Sequence, residues 1–229
     1  VSKYIRCNNL NIQIGVTMTN LQNIGKFTGI ELAKFKLKDG VSEETMLELI
    51  TKVDNGFLQK EDDFLGHTTL KGEDGLYADI LFATTQEKAQ EICGKLMQNE
   101  TALQYMALVD EPSVDMAFWN RIKMTDLTNI GEFAGMEFAT FKLKNGVAEN
   151  KMLDIIQKVD EQFLQKEEGF LGHTTLTSEK GVYADVAFAT TQEKAQEICG
   201  KWMENELALQ YVELIDETSV NMSFWSRIK

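Results

Sequence analysis

The sequence predicts an α+β protein made of two copies of one βαββαβ unit. Three observations support this prediction. The second half of the chain repeats the first without a gap, at an offset of 106 residues. Each copy alternates strand and helix patterns. The 43% share of hydrophobic residues is typical of a globular protein.

The repeat sets the expected domain boundaries. Residues 18–123 align with residues 124–229, and the segment FATTQEKAQEICGK at 82–95 recurs unchanged at 188–201. Solenoid repeats have periods of about 20–50 residues, so a longer period indicates a duplicated domain. We therefore predict two repeats, 18–123 and 124–229, within one chain.

Residues 1–17 precede the repeat as an N-terminal extension. Leu10, Ile12, Ile14 and Val16 alternate with polar residues and glycine, which is the pattern of a strand with one buried face. We expect either an extra edge strand or an unstructured leader.

The first half of the repeat shows a strand, a helix and a hairpin. Residues 30–37 are rich in apolar side chains and end in a turn-like Lys-Asp-Gly, which predicts a first strand. Ser42 precedes apolar residues at helical spacing and is a plausible N-cap. Residues 66–70 and 76–83 are predicted strands, joined by the glycine-containing turn 72–75.

A second helix and a fourth strand complete the unit. Thr84 and Glu87 have the spacing of a capping box, which predicts that a helix begins there. Residues 100–108 form a further predicted helix, and residues 113–122 a fourth strand. The resulting order, βαββαβ, is that of the ferredoxin-like plait.

The strand at 76–83 indicates how the two units meet. We expect one of its faces to pack under the helices: Leu76, Ala78, Ile80 and Phe82. The opposite face is too apolar for plain exposure to water: Tyr77, Asp79, Leu81 and Ala83. We therefore predict that the two antiparallel sheets pack face to face, as a pseudo-dimeric barrel formed inside one chain.

Charge and cysteine content exclude several functional classes. With 36 acidic and 23 basic residues, the net charge of −13 disfavours nucleic-acid and anionic-membrane partners. No apolar run approaches the ~18 residues of a spanning helix. The three cysteines show no metal-ligand spacing, so we expect no bound metal. Free thiols and the lack of a secretory pattern favour a cytoplasmic location.

Polar residues on the predicted strands are the candidate catalytic groups. His67 and His173 are the only histidines, and each is either a general base or a hydrogen-bonded structural residue. Asp79 and Asp185 each follow a tyrosine by two residues, so both side chains leave one strand face. This pair either moves protons or is a fixed structural network. The tyrosines are Tyr77 and Tyr183.

Aromatic residues at the end of the fourth strand are candidate ligand contacts. Trp119 and Trp225 follow Phe118 and Phe224. An indole at this position either stacks on an aromatic ligand or packs at an interface.

Several segments together resemble the antibiotic biosynthesis monooxygenase-like families of the dimeric α+β barrel superfamily. They lie at 64–66, 76–82, 87–89, 92–99 and 109–118, and the second unit shows the same pattern over 170–224. The resemblance implies a barrel made by two plaits, here fused into one chain. Its members include cofactor-free oxygenases of aromatic polyketides, haem-degrading enzymes, cyclases and proteins with no assigned activity, so it implies a fold more than a reaction.

The resemblance implies a protein that acts on or binds an aromatic or otherwise apolar metabolite. If it is an enzyme, we expect oxygenation without flavin, metal or haem, with His67 or His173 as the base and Tyr77 or Tyr183 as the donor. The alternative is a non-catalytic ligand-binding or stress-related barrel. Haem handling is a third reading, which the strand location of both histidines disfavours. Beyond pairing of the two repeats, further homo-oligomerisation stays open.

Overall fold

The computed structural model describes residue 21, residues 24–123, residue 125 and residues 127–229. The strand expected within residues 1–17 lies outside the described residues. The elements of the first unit are β1 (Gly29–Lys36), α1 (Glu43–Gly56), β2 (Phe64–Lys71), β3 (Leu76–Ala83), α2 (Gln86–Leu96), α3 (Glu100–Met106) and β4 (Asp115–Arg121). Those of the second unit are β5 (Gly135–Phe141), α4 (Glu149–Gln162), β6 (Phe170–Thr177), β7 (Tyr183–Ala189), α5 (Gln192–Gly200), α6 (Glu206–Val212) and β8 (Asn221–Arg227).

The starts of the helices follow local side-chain chemistry. Ser42 accepts a hydrogen bond from the backbone N–H of Thr45, which confirms the predicted N-cap of α1. The predicted cap of α2 was wrong by one residue: Thr85, not Thr84, accepts from the N–H of Lys88. The Thr84 hydroxyl instead donates to Asp63, at 2.6 Å, so it is engaged outside the helix.

The eight strands form one closed barrel, and the predicted fold is confirmed. Within each unit the strands lie in the order β4-β1-β3-β2 or β8-β5-β7-β6, all antiparallel. The sheets also join edge to edge, because β2 pairs with β8 and β4 with β6. Closure of this kind leaves no free sheet edge among the described strands.

The strand face that the sequence predicted to lie under the helices lies inside the barrel, and the other face lies under the helices. Ala78, Ile80 and Phe82 lie inside the barrel, in a core that also contains Phe138 and Phe188 from the second unit. The face with Tyr77, Asp79, Leu81 and Ala83 packs under α1, α2 and α3. The physical reason is that the barrel interior is dry and shared, so it takes the strictly apolar face, whereas hydroxyls from the helices can satisfy a carboxylate on the other face.

The end of each unit crosses onto the other unit. After β8, the backbone N–H groups of Ile228 and Lys229 donate to the carbonyl oxygen of Thr69 on β2. After β4, Ile122 and Lys123 make the same contacts with Thr175 on β6. The lysine at each of these ends is therefore buried within the opposite half of the molecule. None of the helices in the described part of the chain has the length and apolar character needed to cross a membrane.

Candidate functional site

The larger of two equivalent cavities lies in the first unit, between the outer face of the sheet and the helices. It has a volume of about 800 Å³. Its walls are mainly apolar and include Ala33, Phe35, Leu81, Leu96, Met116 and Phe118. Polar residues are concentrated on the sheet, where Glu31, His67 and Asp79 line the cavity from three neighbouring strands. The geometry is that of a pocket for an apolar ligand with one polar anchor region.

His67 stands between two carboxylates. Its Nδ1 lies 2.9 Å from Oδ1 of Asp54, on α1, and its Nε2 lies 3.8 Å from Oδ1 of Asp79, on β3. Burial lowers the pKa of His67, but the charges of Asp54 and Asp79 raise it by more, so the net shift is upward. The two carboxylates therefore favour the imidazolium form over the neutral ring.

Asp79 is held by two hydroxyl groups. The Thr69 hydroxyl donates to its Oδ1 at 2.8 Å, and the Tyr105 hydroxyl donates to its Oδ2. Burial raises the pKa of Asp79, an effect that His67 and these two hydroxyls oppose. Tyr105, on α3, also lines the cavity. Sequence reasoning missed Tyr105, because the only signal was a tyrosine on the apolar side of a short helix.

Glu31 is the least partnered acid at the polar end. Its side chain is buried on β1, next to β3, and none of the described residues forms a hydrogen bond with its carboxyl group. Burial, together with the negative charge of Asp79, raises the pKa of Glu31 to about 8, while His67 opposes the shift. At neutral pH this carboxyl group is therefore mostly protonated and faces the cavity.

Lys229 of the second unit completes the cluster of the first. Its ammonium group forms a buried ion pair with Oδ2 of Asp54, on the side away from His67. Burial raises the pKa of Asp54, but contacts with His67 and Lys229 outweigh burial and lower it. Asp54 thus stays ionised and links the ammonium group to the imidazole.

The second unit contains the same constellation around a smaller cavity of about 280 Å³. Nδ1 of His173 lies 3.0 Å from Oδ1 of Asp160, and Nε2 lies 3.6 Å from Oδ1 of Asp185. Lys123 pairs with Asp160, and Tyr211 donates to Asp185. Burial outweighs the charge of Asp185, so the pKa of His173 is lowered to about 4, the opposite direction from that of His67.

The structure brings His67 and Asp79 together at the cavity but places the predicted tyrosines elsewhere. The Tyr77 hydroxyl donates to Glu43 at 2.9 Å, and the Tyr183 hydroxyl donates to Glu149 at 3.0 Å. Both contacts are at the start of a helix near the surface, and neither tyrosine lines a cavity. The tyrosines that contact Asp79 and Asp185 are instead Tyr105 and Tyr211. The sequence had paired these aspartates with Tyr77 and Tyr183.

The predicted tryptophans lie inside the barrel. Trp119 packs edge to face on Phe138 of the other unit, with ring centres 5.5 Å apart, and Trp225 is fully buried in the same core. They contribute to the interface between units, away from both cavities. Phe118 lines the first cavity, whereas its counterpart Phe224 does not line the second.

The histidines and acids do not form a metal or haem site. No group of three or more His, Cys, Asp or Glu side chains within the described ranges is arranged to hold a metal ion. Each histidine is buried with Nδ1 against one aspartate and Nε2 facing another. Each Nε2 faces a carboxylate oxygen 3.8 Å away in the first unit and 3.6 Å away in the second, which leaves no space for a haem iron between the two atoms.

No family model and no curated protein matches this chain in sequence. Solved structures do match. A candidate monooxygenase from Fusobacterium nucleatum superimposes with a TM-score of 0.62 at 11% identity, over 89% of this chain and 93% of that one. An anthrone oxidase-like protein gives 0.59 at 12% identity, over 90% and 94%.

A third match has a different described activity. A heme-binding protein from Thermus thermophilus gives a TM-score of 0.60 at 7% identity, over 89% of this chain and 92% of the other. Identities this low show a shared fold and not a shared reaction. The eight-stranded closure and these similarities together show that this chain has the dimeric α+β barrel fold, with both βαββαβ units in a single polypeptide.

Proposed function

We propose that the first cavity binds an aromatic or otherwise apolar small molecule, with a hydroxyl or carbonyl group of the ligand placed at Glu31. The observation that supports this proposal is an apolar cavity of about 800 Å³ with a buried, protonated carboxyl group at its polar end. A neutral acid that has no internal partner needs a polar group from a ligand or from water.

The charge balance of the cluster supports a neutral ligand. In their ionised forms, Asp54 and Asp79 balance the positive charges of His67 and Lys229. With Glu31 protonated, the polar end carries no net charge. A strongly charged ligand would lose its hydration there without a counter-charge, which is costly.

The reaction that we propose is oxygenation of the bound aromatic without a cofactor. In this scheme Glu31, as its carboxylate, accepts a proton from a C–H group of the ligand, and the resulting carbanion forms a C–O bond with O₂. The peroxide takes the proton back from Glu31, and its O–O bond breaks with loss of water, so that one oxygen atom stays in the product as a carbonyl group and the other leaves in water. A pKa of about 8 suits a group that exchanges protons near neutral pH. The sequence suggested His67 or His173 as the base. The contacts of His67 with two carboxylates favour its protonated form instead, so we assign it to positioning Asp79 and Asp54.

Two measurements test the proposal. Isothermal titration calorimetry with a hydroxyanthraquinone, a three-ring phenol, is expected to show binding to the wild-type protein. An oxygen electrode with the corresponding anthrone is expected to show O₂ uptake, which Glu31→Gln should reduce by roughly 10²–10⁴-fold while binding is retained. Tyr77→Phe is the matched control, since this hydroxyl lies outside the cavity, and it should leave both unchanged.

The outcomes separate binding from catalysis. Binding without O₂ uptake would support the alternative, a non-catalytic ligand-binding barrel. Absence of binding by any phenol, quinol or flavonoid would contradict the small-molecule proposal altogether. A visible absorbance band in the freshly purified protein would argue against chemistry without a cofactor.

A further inference from the structure

We propose that the ligand of the first cavity is an amphiphile, with its hydroxyl or carbonyl head at Glu31 and an apolar chain that reaches the opening of the cavity. The chain leaves past Met97, Val114 and Met116. This inference rests on the proposed function, because it concerns the same site. It goes further in assigning the chemical class of the ligand and the direction in which the ligand lies.

The cavity runs from a buried polar end to an exposed apolar opening. At the polar end, Glu31 is 7% exposed and His67 is 6% exposed. Met97, Met116 and Val114 also line the cavity, but they are 57%, 53% and 45% exposed. A side chain that lines a cavity and has about half of its surface in contact with solvent stands where the cavity opens. These three residues therefore form the rim.

The strand register gives the direction of the path from the polar end to the rim. Glu31 on β1 lies opposite Phe118 on β4, and Ala33 lies opposite Met116. Side chains two residues apart leave the same face of a strand. Phe118, Met116 and Val114 therefore form one row of lining residues, which starts beside Glu31 and ends about 14 Å away, just before β4 begins. An extended ligand fits this row better than a compact one.

Exposed apolar side chains are concentrated at the cavity openings. In the described part of the chain, eight large apolar side chains are strongly exposed, and six of them line one of the two cavities. At the first cavity they are the rim residues, and at the second they are Met203, Val220 and Met222. Clustered apolar surface marks binding sites, and flexible methionine side chains adapt to an apolar chain.

The charged groups at the opening favour an uncharged chain. Lys38 and Glu111 line the cavity and are exposed. They have opposite charges, and the ammonium group of Lys38 already donates to the carbonyl oxygen of Ala107 at 2.8 Å. The opening therefore offers no net counter-charge to an ionised group at the outer end of the ligand.

Calorimetric titration with para-alkylphenols of increasing chain length tests this inference. The affinity of the wild type should rise by roughly 10²-fold from para-ethylphenol to para-octylphenol, because a fully buried CH₂ contributes about fourfold and the outer part of the chain is only partly buried. The double variant Met97→Gln with Met116→Gln should bind para-ethylphenol as the wild type does, and para-octylphenol roughly tenfold more weakly.

Leu103→Gln is the matched control. Leu103 is 47% exposed on α3 but lines neither cavity, so this variant should bind both phenols as the wild type does. Val114→Thr replaces one methyl group with a hydroxyl at nearly constant shape, and it guards against misfolding of the double variant. It should weaken the binding of para-octylphenol alone. Circular dichroism and melting temperature verify folding.

The outcomes separate this inference from the proposed function. Equal affinity of the wild type for both phenols, or the same gain with chain length in all variants, would overturn the inference and leave the proposed function intact. A wild-type dimer in light scattering that the double variant dissociates would also overturn it, because the rim would then be a contact between copies. Failure of the wild type to bind any of the phenols would instead contradict the proposed function.

Discussion

At the scale of single residues, the fold keeps one carboxyl group neutral and its neighbours charged. Asp54 has two cationic partners, and its pKa is lowered despite burial. Glu31 has none, so burial raises its pKa to about 8. Both acids interact with His67, and their different partners decide their protonation.

Glu31 should make stability depend on pH. Its pKa is higher in the folded protein than the ordinary 4.5, so its contribution is fully present below about pH 4.5 and is lost as the pH rises through about 8. Relative to the wild type, Glu31→Gln should therefore gain stability between about pH 5 and pH 8, by roughly 3–5 kcal/mol at ~1.4 kcal/mol per pKa unit. Urea unfolding at several pH values measures this difference.

Glu44→Gln, on the exposed side of α1, is the matched control and should show no such trend. A difference between wild type and Glu31→Gln that stays constant with pH would contradict the raised pKa of Glu31.

At the scale of elements, β1 and α2 approach each other at a glycine. A Cβ added to Gly29 would lie 2.1 Å from the backbone at Thr85 and Gln86, where α2 begins. In contrast, a Cβ at Gly94 within α2 would meet nothing within 4 Å. The strand and the helix can pack at this distance only because position 29 has no side chain.

We expect opposite effects from the two glycine substitutions. Gly29→Ala should destabilise the protein by about 1–3 kcal/mol or more, because backbone cannot move aside as a side chain can. Gly94→Ala should stabilise it by roughly 0.5–1 kcal/mol, because alanine favours the helix. The midpoints of urea-unfolding curves with an unchanged m-value give both changes in the free energy of unfolding. Equal effects of the two substitutions would rule out the close approach at Gly29.

Much of this element level was predictable from sequence. The strand at Leu76–Ala83 and the N-cap at Ser42 follow from local patterns and are confirmed. Which face of that strand meets the helices was not predictable, since both faces are largely apolar. The decisive contact for Asp79 comes from Tyr105, on a helix 26 residues away, and strand alternation contains no information about it. Asp54, the other carboxyl partner of His67, was missed for the same reason.

At the scale of the whole molecule, the two units complete each other's sites. Lys229 pairs with Asp54 of the first unit, where β8 joins β2, and Lys123 pairs with Asp160 of the second, where β4 joins β6. Both ion pairs are buried, so removing one partner leaves a charge without its counter-ion.

Lys229→Met should lower the free energy of unfolding by about 3–5 kcal/mol, because Asp54 loses a buried cation. Asp54→Asn combined with Lys229→Met should recover part of this loss. A double-mutant cycle by urea unfolding measures the coupling, with the exposed Lys60→Met as a control. Additive effects of the two substitutions would show that the pair contributes nothing.

The repeat 18–123 on its own should form a homodimer. In the full chain β2 pairs with β8 and β4 with β6. Since β8 corresponds to β4 and β6 to β2, two copies of the first repeat can form the same two junctions. Size-exclusion chromatography with light scattering should show a dimer. A folded monomer would contradict the view that the inner sheet face needs a partner.

The reciprocal placement of Lys123 and Lys229 has a consequence for the order in which the structure can assemble. Each ammonium group is supplied by one unit to an aspartate of the other, so neither ion pair can form until the two units have docked. Closure of the barrel and neutralisation of Asp54 and Asp160 must therefore take place together.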